Sequence, residues 1–205
     1  MPAPSAERAL DLRVARREPG PLSMFFRQFL KHPVMVGSII PSSNKTIDRM
    51  LSRVDWARCK LFVEYGPGVG TFCGPVLERL APDGTLIAID TNPEFIEYLD
   101  RRIDDPRFVP VSGSAADVRQ IIADRGFAHA DYILSGLPFS TLPPGVGPAI
   151  ARATHEALSP GGAFLVYQFT PRVHEFIAPH FDRIDHAMEL VNIPPAHLYW
   201  AWKEV

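Results

Sequence analysis

An acid followed by three closely spaced glycines is the first group of residues in this sequence that can do chemistry. The stretch FVEYGPGVGTF places Glu64 two residues before Gly66, and Gly68 and Gly70 follow at alternate positions. Glycines lack Cβ atoms, so they permit unusual backbone angles and let backbone N–H groups approach a ligand closely. A dinucleotide-binding turn has the spacing G-x-G-x-x-G, whereas here the third glycine comes one residue early and Thr71 stands in its place.

The acid before this turn decides between nucleotide ligands. A carboxylate has no favourable partner in the pyrophosphate of a dinucleotide, but Glu64 can receive the ammonium group of an amino-acid-bearing nucleoside. S-adenosylmethionine carries both the nucleoside and the ammonium group. The sequence therefore predicts S-adenosylmethionine as the ligand of the turn.

Two further polar positions follow apolar runs later in the chain. Asp90 ends the run TLIAID and can accept two hydrogen bonds from a ribose diol. In SGSAAD, Ser114 or Asp117 can bond the edge of an adenine while apolar neighbours pack on its face. A glycine turn alone is often an ordinary tight loop, and an Asp after a strand is often a helix cap. The three features together, in order along the chain, predict a nucleotide site.

The elements that would position these residues are visible as alternating patterns from residue 60 onward. Apolar runs of strand length (KLFVEY, GTLIAID, RFVPVS, ADYILSG and GAFLVYQF) alternate with helical segments. This alternation is typical of a parallel sheet with helices on both faces. The last part of the chain predicts two strands joined around NIPPA, as an antiparallel pair at the sheet edge.

The N-terminal part of the sequence has a different character. Residues 1–21 predict a flexible tail, residues 22–59 helices, and residues 60–205 a single α/β domain. The segment PLSMFFRQFLKHP predicts a short helix with an aromatic face and a basic face. A second helix is expected to begin at Ser43 or Asn44, both good capping residues, and to run through the segment KTIDRMLSRVDW.

Composition limits the possible functions. The 205 residues are 46% hydrophobic, which suits one substantial core. The formal net charge is −2, but residues 1–60 hold 11 basic and 5 acidic side chains, so the N-terminal part is positively charged. The two cysteines predict free thiols in a reducing compartment, and the seven histidines lack zinc-type spacing, so no metal is expected. With neither a signal peptide nor a spanning segment recognisable, a cytoplasmic protein is expected.

Three of these stretches resemble the motifs of a known enzyme family. VEYGPGVGTF, IAIDTNPEF and LSPGG are similar to the successive motifs of class I S-adenosylmethionine-dependent methyltransferases, over about residues 60 to 170. The resemblance implies a Rossmann-like sheet of seven strands, mostly parallel, with an antiparallel last strand, and S-adenosylhomocysteine as a product. It also implies these cofactor-binding residues: Glu64, Tyr65, Gly66, Gly68, Gly70, Thr71, Asp90, Thr91, Ser114, Ala115 and Ser135.

A closer resemblance spans nearly residues 22 to 203. GSIIPSS, SGLPFS and NIPPAHLYWAWK are similar to bacterial phospholipid N-methyltransferases, which methylate phosphatidylethanolamine. It implies Ser135, Leu137 and Phe139 as catalytic residues, with main-chain carbonyls and Ser135 or Ser140 bonding the amine. Phe139 would stabilise the methylated cation through its ring face. LPF also resembles the NLPY of rRNA adenine dimethylases, but Ser135 and Gly136 stand where that motif begins with Asn.

Several roles have two interpretations in the sequence. Ser38, Ser42 and Ser43 fit either a lid over the cofactor or a loop with a helix cap. The strand aromatics suit either the substrate amine or the core, and two histidines are candidates for a general base. These further candidates are Tyr167, Tyr199, Trp200, His155 and His197.

The partners follow from the basic N-terminal part and the closer resemblance. An anionic membrane surface and an amine phospholipid are expected to bind through residues 22–40, and no nucleic acid is expected. This places the protein on the inner face of the membrane as a peripheral protein. Alternatives are methylation of RNA adenine or of a small soluble amine, or a non-catalytic protein that binds S-adenosylmethionine or lipid.

Overall fold

The computed structural model describes residues 40–190 and 195–204, with side chains from residue 44 onward. The predicted tail at 1–21, the aromatic and basic helix at 22–31, and Ser38 of the predicted lid lie outside the described residues. Within the described ranges, no helix is both long and apolar enough to cross a bilayer.

Seven strands form one sheet, as the family resemblance implies. They are β1 Leu61–Tyr65, β2 Thr85–Asp90, β3 Phe108–Ser112, β4 Ala130–Ser135, β5 Leu158–Gln168, β6 Arg183–Glu189 and β7 Ala196–Trp202. Their order across the sheet is β3-β2-β1-β4-β5-β7-β6. β1 to β5 are parallel, and β7 runs antiparallel to both β5 and β6. The predicted mostly parallel sheet with an antiparallel last strand is confirmed.

In the described part of the chain, six α-helices accompany the strands. They are α1 Ile40–Leu51, α2 Cys73–Arg79, α3 Pro93–Arg102, α4 Val118–Ala123, α5 Val146–Ala157 and α6 Val173–Ile177. The predicted start of the second N-terminal helix at Ser43 or Asn44 is wrong, because α1 already begins at Ile40. Pro41 explains the difference, since a proline in the first turn has a suitable φ and needs no N–H partner there.

The helices cover the two faces of the sheet with two separate apolar cores. One core joins the sheet to α4, α5 and α6, and the other joins it to α1, α2 and α3. In the second core the fully buried Trp200 donates its indole N–H to the carbonyl of Met50, 2.9 Å away, and Arg53 lies over its ring. Trp200 therefore fixes the end of α1 on β7, as part of the same core as the rest of the α/β fold.

Candidate active site

The carboxyl ends of β1, β2 and β4 meet at one edge of the sheet. The loops that follow them are joined by backbone hydrogen bonds, from Gly66 N to Ile89 O at 2.9 Å and from Gly136 N to Tyr65 O at 3.0 Å. Because these strands and β3 are parallel neighbours, the sequence-predicted residues after all four strands lie at this same edge. The structure thus brings them together, while their roles stay predictions.

The three glycines of the turn have different surroundings. All three have positive φ: +61° at Gly66, +55° at Gly68 and +83° at Gly70. A Cβ on Gly66 would lie 2.8 Å from the side chain of Leu137, and one on Gly70 would lie 2.7 Å from that of Leu99. A Cβ on Gly68 would meet nothing within 4 Å. Gly66 and Gly70 therefore serve the packing of the turn, whereas Gly68 borders open space in which a ligand can lie.

Glu64 is a buried carboxylate beneath this turn. Its side chain is 2% exposed, and the thiol of Cys73 donates to its Oε2 at 3.2 Å. Burial raises the pKa of Glu64 to about 7, the Cys73 hydrogen bond opposes the rise, and the charge of Asp90 adds to it. Burial also raises the pKa of the Cys73 thiol, which keeps it protonated and able to donate.

Cys73 is a core residue whose pairing with Glu64 the sequence did not reveal. Its pattern predicts only a small core residue, because its pairing with Glu64 depends on how α2 packs against β1. The feature of the sequence that could have indicated this pairing is the position of Cys73 at the start of the helix that directly follows the glycine turn.

Asp90 lies at the end of β2, and backbone groups surround its carboxylate. Asn92 N donates to its Oδ1 at 2.8 Å, and the N–H groups of Gly68 and Thr91 also bond the carboxylate. Burial raises the pKa of Asp90, and these hydrogen bonds oppose the rise. The cap of α3 is Asn92, whose side chain accepts from Glu94 N. Asp90 is therefore held in place beside the glycine turn without serving as the helix cap.

The residues after β3 are placed differently from one another. The Ser114 hydroxyl accepts from Ala116 N at 3.2 Å and caps a short 3₁₀ turn. Ala115 is buried, and the Asp117 side chain is exposed and makes no capping hydrogen bond. The Ser114 hydroxyl still has its own hydrogen to donate, so Ser114 suits the adenine edge even while it caps the turn.

The loop after β4 is held from two sides through Leu137. The fully buried Ser135 accepts the Leu137 N–H at its Oγ, 3.2 Å away, and the Gln168 side-chain amide donates to the Leu137 carbonyl. Gln168 ends β5 and is 6% exposed. Sequence reasoning missed Gln168, because only the pairing of β4 with β5 brings it to this loop.

Phe139 does not have the surroundings that its predicted role requires. Its side chain is 2% exposed, with the ring stacked on Phe176 at 6.0 Å and edge-on to Phe164 at 6.4 Å. An occupied ring face cannot receive a substrate cation, so the structure makes Phe139 a core residue. At the same sheet edge, the half-buried Tyr167 and the exposed Phe169 lie 5.2 Å apart between ring centroids.

The remaining aromatic and histidine candidates separate by position. Tyr199 and Trp200 are buried in the cores on opposite faces of the sheet. The carbonyl of His155 accepts a hydrogen bond from the Lys203 side chain. Lys203 follows β7, which runs antiparallel to β5, so Lys203 and His155 lie at the end of the sheet opposite the site. His197 pairs with Gln168 at the site edge and bonds His186, with 2.9 Å between ring nitrogens.

Comparison with known proteins places this geometry in a family. No protein-family model matches the chain. The chain is 30% identical over 179 residues to the ornithine lipid N-methyltransferase of Singulisphaera acidiphila, covering 86% of this chain and 93% of that enzyme. It is 36% identical over 98 residues to ribosomal RNA small subunit methyltransferase H of Burkholderia vietnamiensis, covering 48% of this chain and 30% of that one.

A solved structure shows the same fold. The 16S rRNA N2 G1207 methyltransferase of T. thermophilus, in complex with AdoMet and guanosine, matches with a TM-score of 0.60 at 16% identity. The match covers 80% of this chain and 43% of that one. At this identity the likeness supports the fold alone.

The chain belongs to the class I S-adenosylmethionine-dependent methyltransferases, in the family that includes the ornithine lipid N-methyltransferase. It is an S-adenosylmethionine-dependent N-methyltransferase, and the predictions of enzyme class and cofactor are confirmed.

Gly68→Ala tests the open space above the turn. Gly126 is a matched control, because it also has a positive φ, +82°, and no atom within 4 Å of an added Cβ. Each substitution should lower the free energy of unfolding by about 1–2 kcal/mol through backbone strain. Only Gly68→Ala should weaken S-adenosylmethionine binding, by at least about tenfold in calorimetry. Equal affinities of the two variants would remove Gly68 from the cofactor site.

Glu64→Gln tests the buried carboxylate through pH. The pKa of Glu64 rises from the ordinary 4.5 to about 7 on folding, so the folded chain keeps a proton that the unfolded chain loses between these values. The carboxyl's contribution to stability is thus complete below pH 4.5 and is lost as pH rises through 7, a change on the order of 3 kcal/mol. The variant should lack this loss in urea unfolding measured from pH 5 to 8.

Cofactor affinity supplies the second readout of the same variant. If Glu64 receives the ammonium group, wild-type affinity rises as pH rises through 7, because only the ionised carboxylate attracts a cation. Glu64→Gln should bind more weakly at pH 8 and lose that dependence. A variant with the wild-type pH dependence would show that another group receives the ammonium.

Proposed function

We propose that this N-methyltransferase methylates the amine headgroup of a membrane lipid, such as an ornithine lipid or phosphatidylethanolamine. The observation that carries the proposal is the similarity to an ornithine lipid N-methyltransferase, which extends over 93% of that enzyme. The similarity to an rRNA methyltransferase reaches only 30% of that protein's length. A relative matched almost end to end supports a shared substrate class better than one matched over part of its length.

The residues at the sheet edge fit the cofactor. Gly68 offers backbone beside open space, the buried Glu64 carboxylate suits the ammonium group, and Asp90 suits the ribose diol. Ser114 and Ala115 would border the adenine, and Tyr65, Gly66, Gly70, Thr71 and Thr91 complete the predicted set around the turn. When bound, S-adenosylmethionine supplies a methyl group on a sulfonium, which is already a strong leaving group.

The loop after β4 would orient the amine. The Leu137 carbonyl accepts from both the Gln168 amide and the Phe139 N–H, so its two lone pairs hold the loop in place. Ser135 holds the same peptide from the other side and keeps the carbonyl direction fixed. Another main-chain carbonyl of this loop would then accept a hydrogen bond from the substrate amine. Catalysis then depends mainly on holding a neutral amine in line with the methyl group, because proximity and orientation supply much of the rate.

The basic N-terminal part would bring the enzyme to its substrate. Residues 22–31 combine three phenylalanines with Arg27 and Lys31, a composition that suits a helix lying in the membrane interface. The excess of acidic over basic residues in 61–205 disfavours a broad RNA-binding surface. Together these charges favour an anionic membrane over RNA as the partner.

The substrate class can be tested directly with labelled cofactor. We expect purified protein to transfer label from S-adenosylmethionine to vesicles that contain ornithine lipid or phosphatidylethanolamine. Vesicles of phosphatidylcholine alone are the matched control, because their headgroup amine is already fully methylated. Label in rRNA rather than in any lipid fraction would replace the proposal with RNA methylation.

Charge reversal at Arg27 and Lys31 tests the membrane surface. Changing both to Glu should abolish sedimentation with anionic vesicles, because each cation near such a surface contributes roughly 1 kcal/mol. S-adenosylmethionine affinity should stay the same, since its proposed ligands lie at the sheet edge. Replacing Arg101 and Arg102 with Glu is the control, as both are exposed at the end of α3. Unchanged sedimentation of the Arg27 and Lys31 variant would reject the interfacial role.

A further inference from the structure

Arg172 lines two cavities, one of which also borders the residues after the β4 loop. The smaller has a volume of about 320 Å³ and is lined by Phe139 and Ser140, directly after the proposed amine loop, together with Arg172. Its other walls include the apolar side chains of Leu142, Pro143 and Phe176. The cavity therefore combines one cation and one hydroxyl with a mainly apolar wall.

The larger cavity lies on the other side of Arg172. Its volume is about 470 Å³, and its lining includes His174, Glu175, His186 and Tyr199. Glu175 lines this cavity and not the smaller one. An anion beside Arg172 therefore avoids the Glu175 carboxylate if it lies in the smaller cavity, next to Ser140.

The chain path holds Arg172 close to the amine loop. Arg172 follows Gln168 by four residues, and the Gln168 side chain bonds the Leu137 carbonyl. Four residues span at most about 14 Å, and Arg172 shares the smaller cavity with Phe139 and Ser140. The guanidinium is thus a neighbour of the loop proposed to hold the amine.

The guanidinium of Arg172 is available to a ligand. Among the described residues it makes no hydrogen bond or ion pair, whereas Arg49, Arg53, Arg79 and Arg119 each bond a carboxylate. Two residues earlier, the hydroxyl oxygen of Thr170 is buried with no hydrogen-bond partner. The buried Thr170 hydroxyl indicates that a polar partner is missing from this segment. Arg172 is exposed, so its guanidinium can receive an anion that arrives from solvent.

We infer that Arg172 binds the anionic group of a zwitterionic lipid headgroup whose amine lies at the loop after β4. This inference rests on the proposed function and names its substrate subsite. The amine of an ornithine lipid is separated by a few bonds from a carboxylate, and that of phosphatidylethanolamine from a phosphate. Arg recognises both anions with the same planar fork of donors. The apolar wall of the smaller cavity then receives the first carbons of the acyl region.

Arg172→Gln tests the subsite with substrates that differ in their anion. The substrates are an ornithine lipid, phosphatidylethanolamine and a long-chain primary alkylamine without an anion, each in micelles of a neutral detergent. For both zwitterionic lipids KM should rise about tenfold to a hundredfold, the usual effect of losing charge-assisted hydrogen bonds. For the alkylamine KM should change less than about twofold, and S-adenosylmethionine affinity should be unchanged. Arg172→Lys should recover part of the loss.

Arg152→Gln is the matched control, because Arg152 is exposed on α5 and lines neither cavity. If Arg172→Gln raises KM only for the ornithine lipid, the subsite binds a carboxylate. If it raises KM only for phosphatidylethanolamine, the subsite binds a phosphate. Equal losses on all three amines, or no loss on any, would overturn the inference while leaving lipid methylation intact. If the wild-type protein methylates none of the three amines, the proposed function fails and the subsite with it.

Discussion

Backbone hydrogen bonds between the ends of β1, β2 and β4 are the constraint on which the whole site depends. They join Gly66 to Ile89 and Gly136 to Tyr65, so the glycine turn and the loop after β4 form one assembly. The approach is close enough that a Cβ on Gly136 would lie 3.3 Å from the Gly66 carbonyl. The proposed cofactor and amine positions therefore cannot move independently, which suits a reaction that depends on alignment.

Polar burial at this edge lowers stability and prepares the site for a ligand. An ionised Glu64 beneath the turn is unfavourable in the free protein, and the Cys73 thiol only partly offsets the cost of its burial. A cationic ligand group would relieve that cost. In the loop after β4, Ser135 accepts the Leu137 N–H, and Gln168 and the Phe139 N–H donate to the Leu137 carbonyl, so the Leu137 peptide is fixed before a substrate binds. The cofactor side therefore holds a buried carboxylate whose partner would be a ligand, whereas the loop on the substrate side is already fully hydrogen-bonded at Leu137.

Local patterns in the sequence were sufficient for the sheet and for the outline of the site. Strand-length apolar runs alternating with helical segments predicted a parallel sheet with helices on both faces, and the family resemblance implied seven strands with an antiparallel last strand, both of which the structure has. Acid and glycine spacing placed Glu64, Asp90 and the turn after successive strands, and parallel neighbours bring such positions to one edge. The sequence determined the ends of helices less well than their presence. In α1, Pro41 and the polar residues that follow it are all suitable helix starts, so the sequence alone did not fix the first residue.

Only the tertiary structure decided which residues touch one another. It distinguished Gly68, which borders open space, from Gly66 and Gly70, which pack against Leu137 and Leu99. It paired Cys73 with Glu64 and Gln168 with Leu137, and it placed Phe139 in the core rather than at the site. These outcomes depend on strand order and helix packing, which bring together residues far apart in the chain. The spacing of apolar residues along the sequence reveals which face of a strand or helix a residue occupies. The residue that it contacts on the neighbouring element is decided only by the tertiary structure.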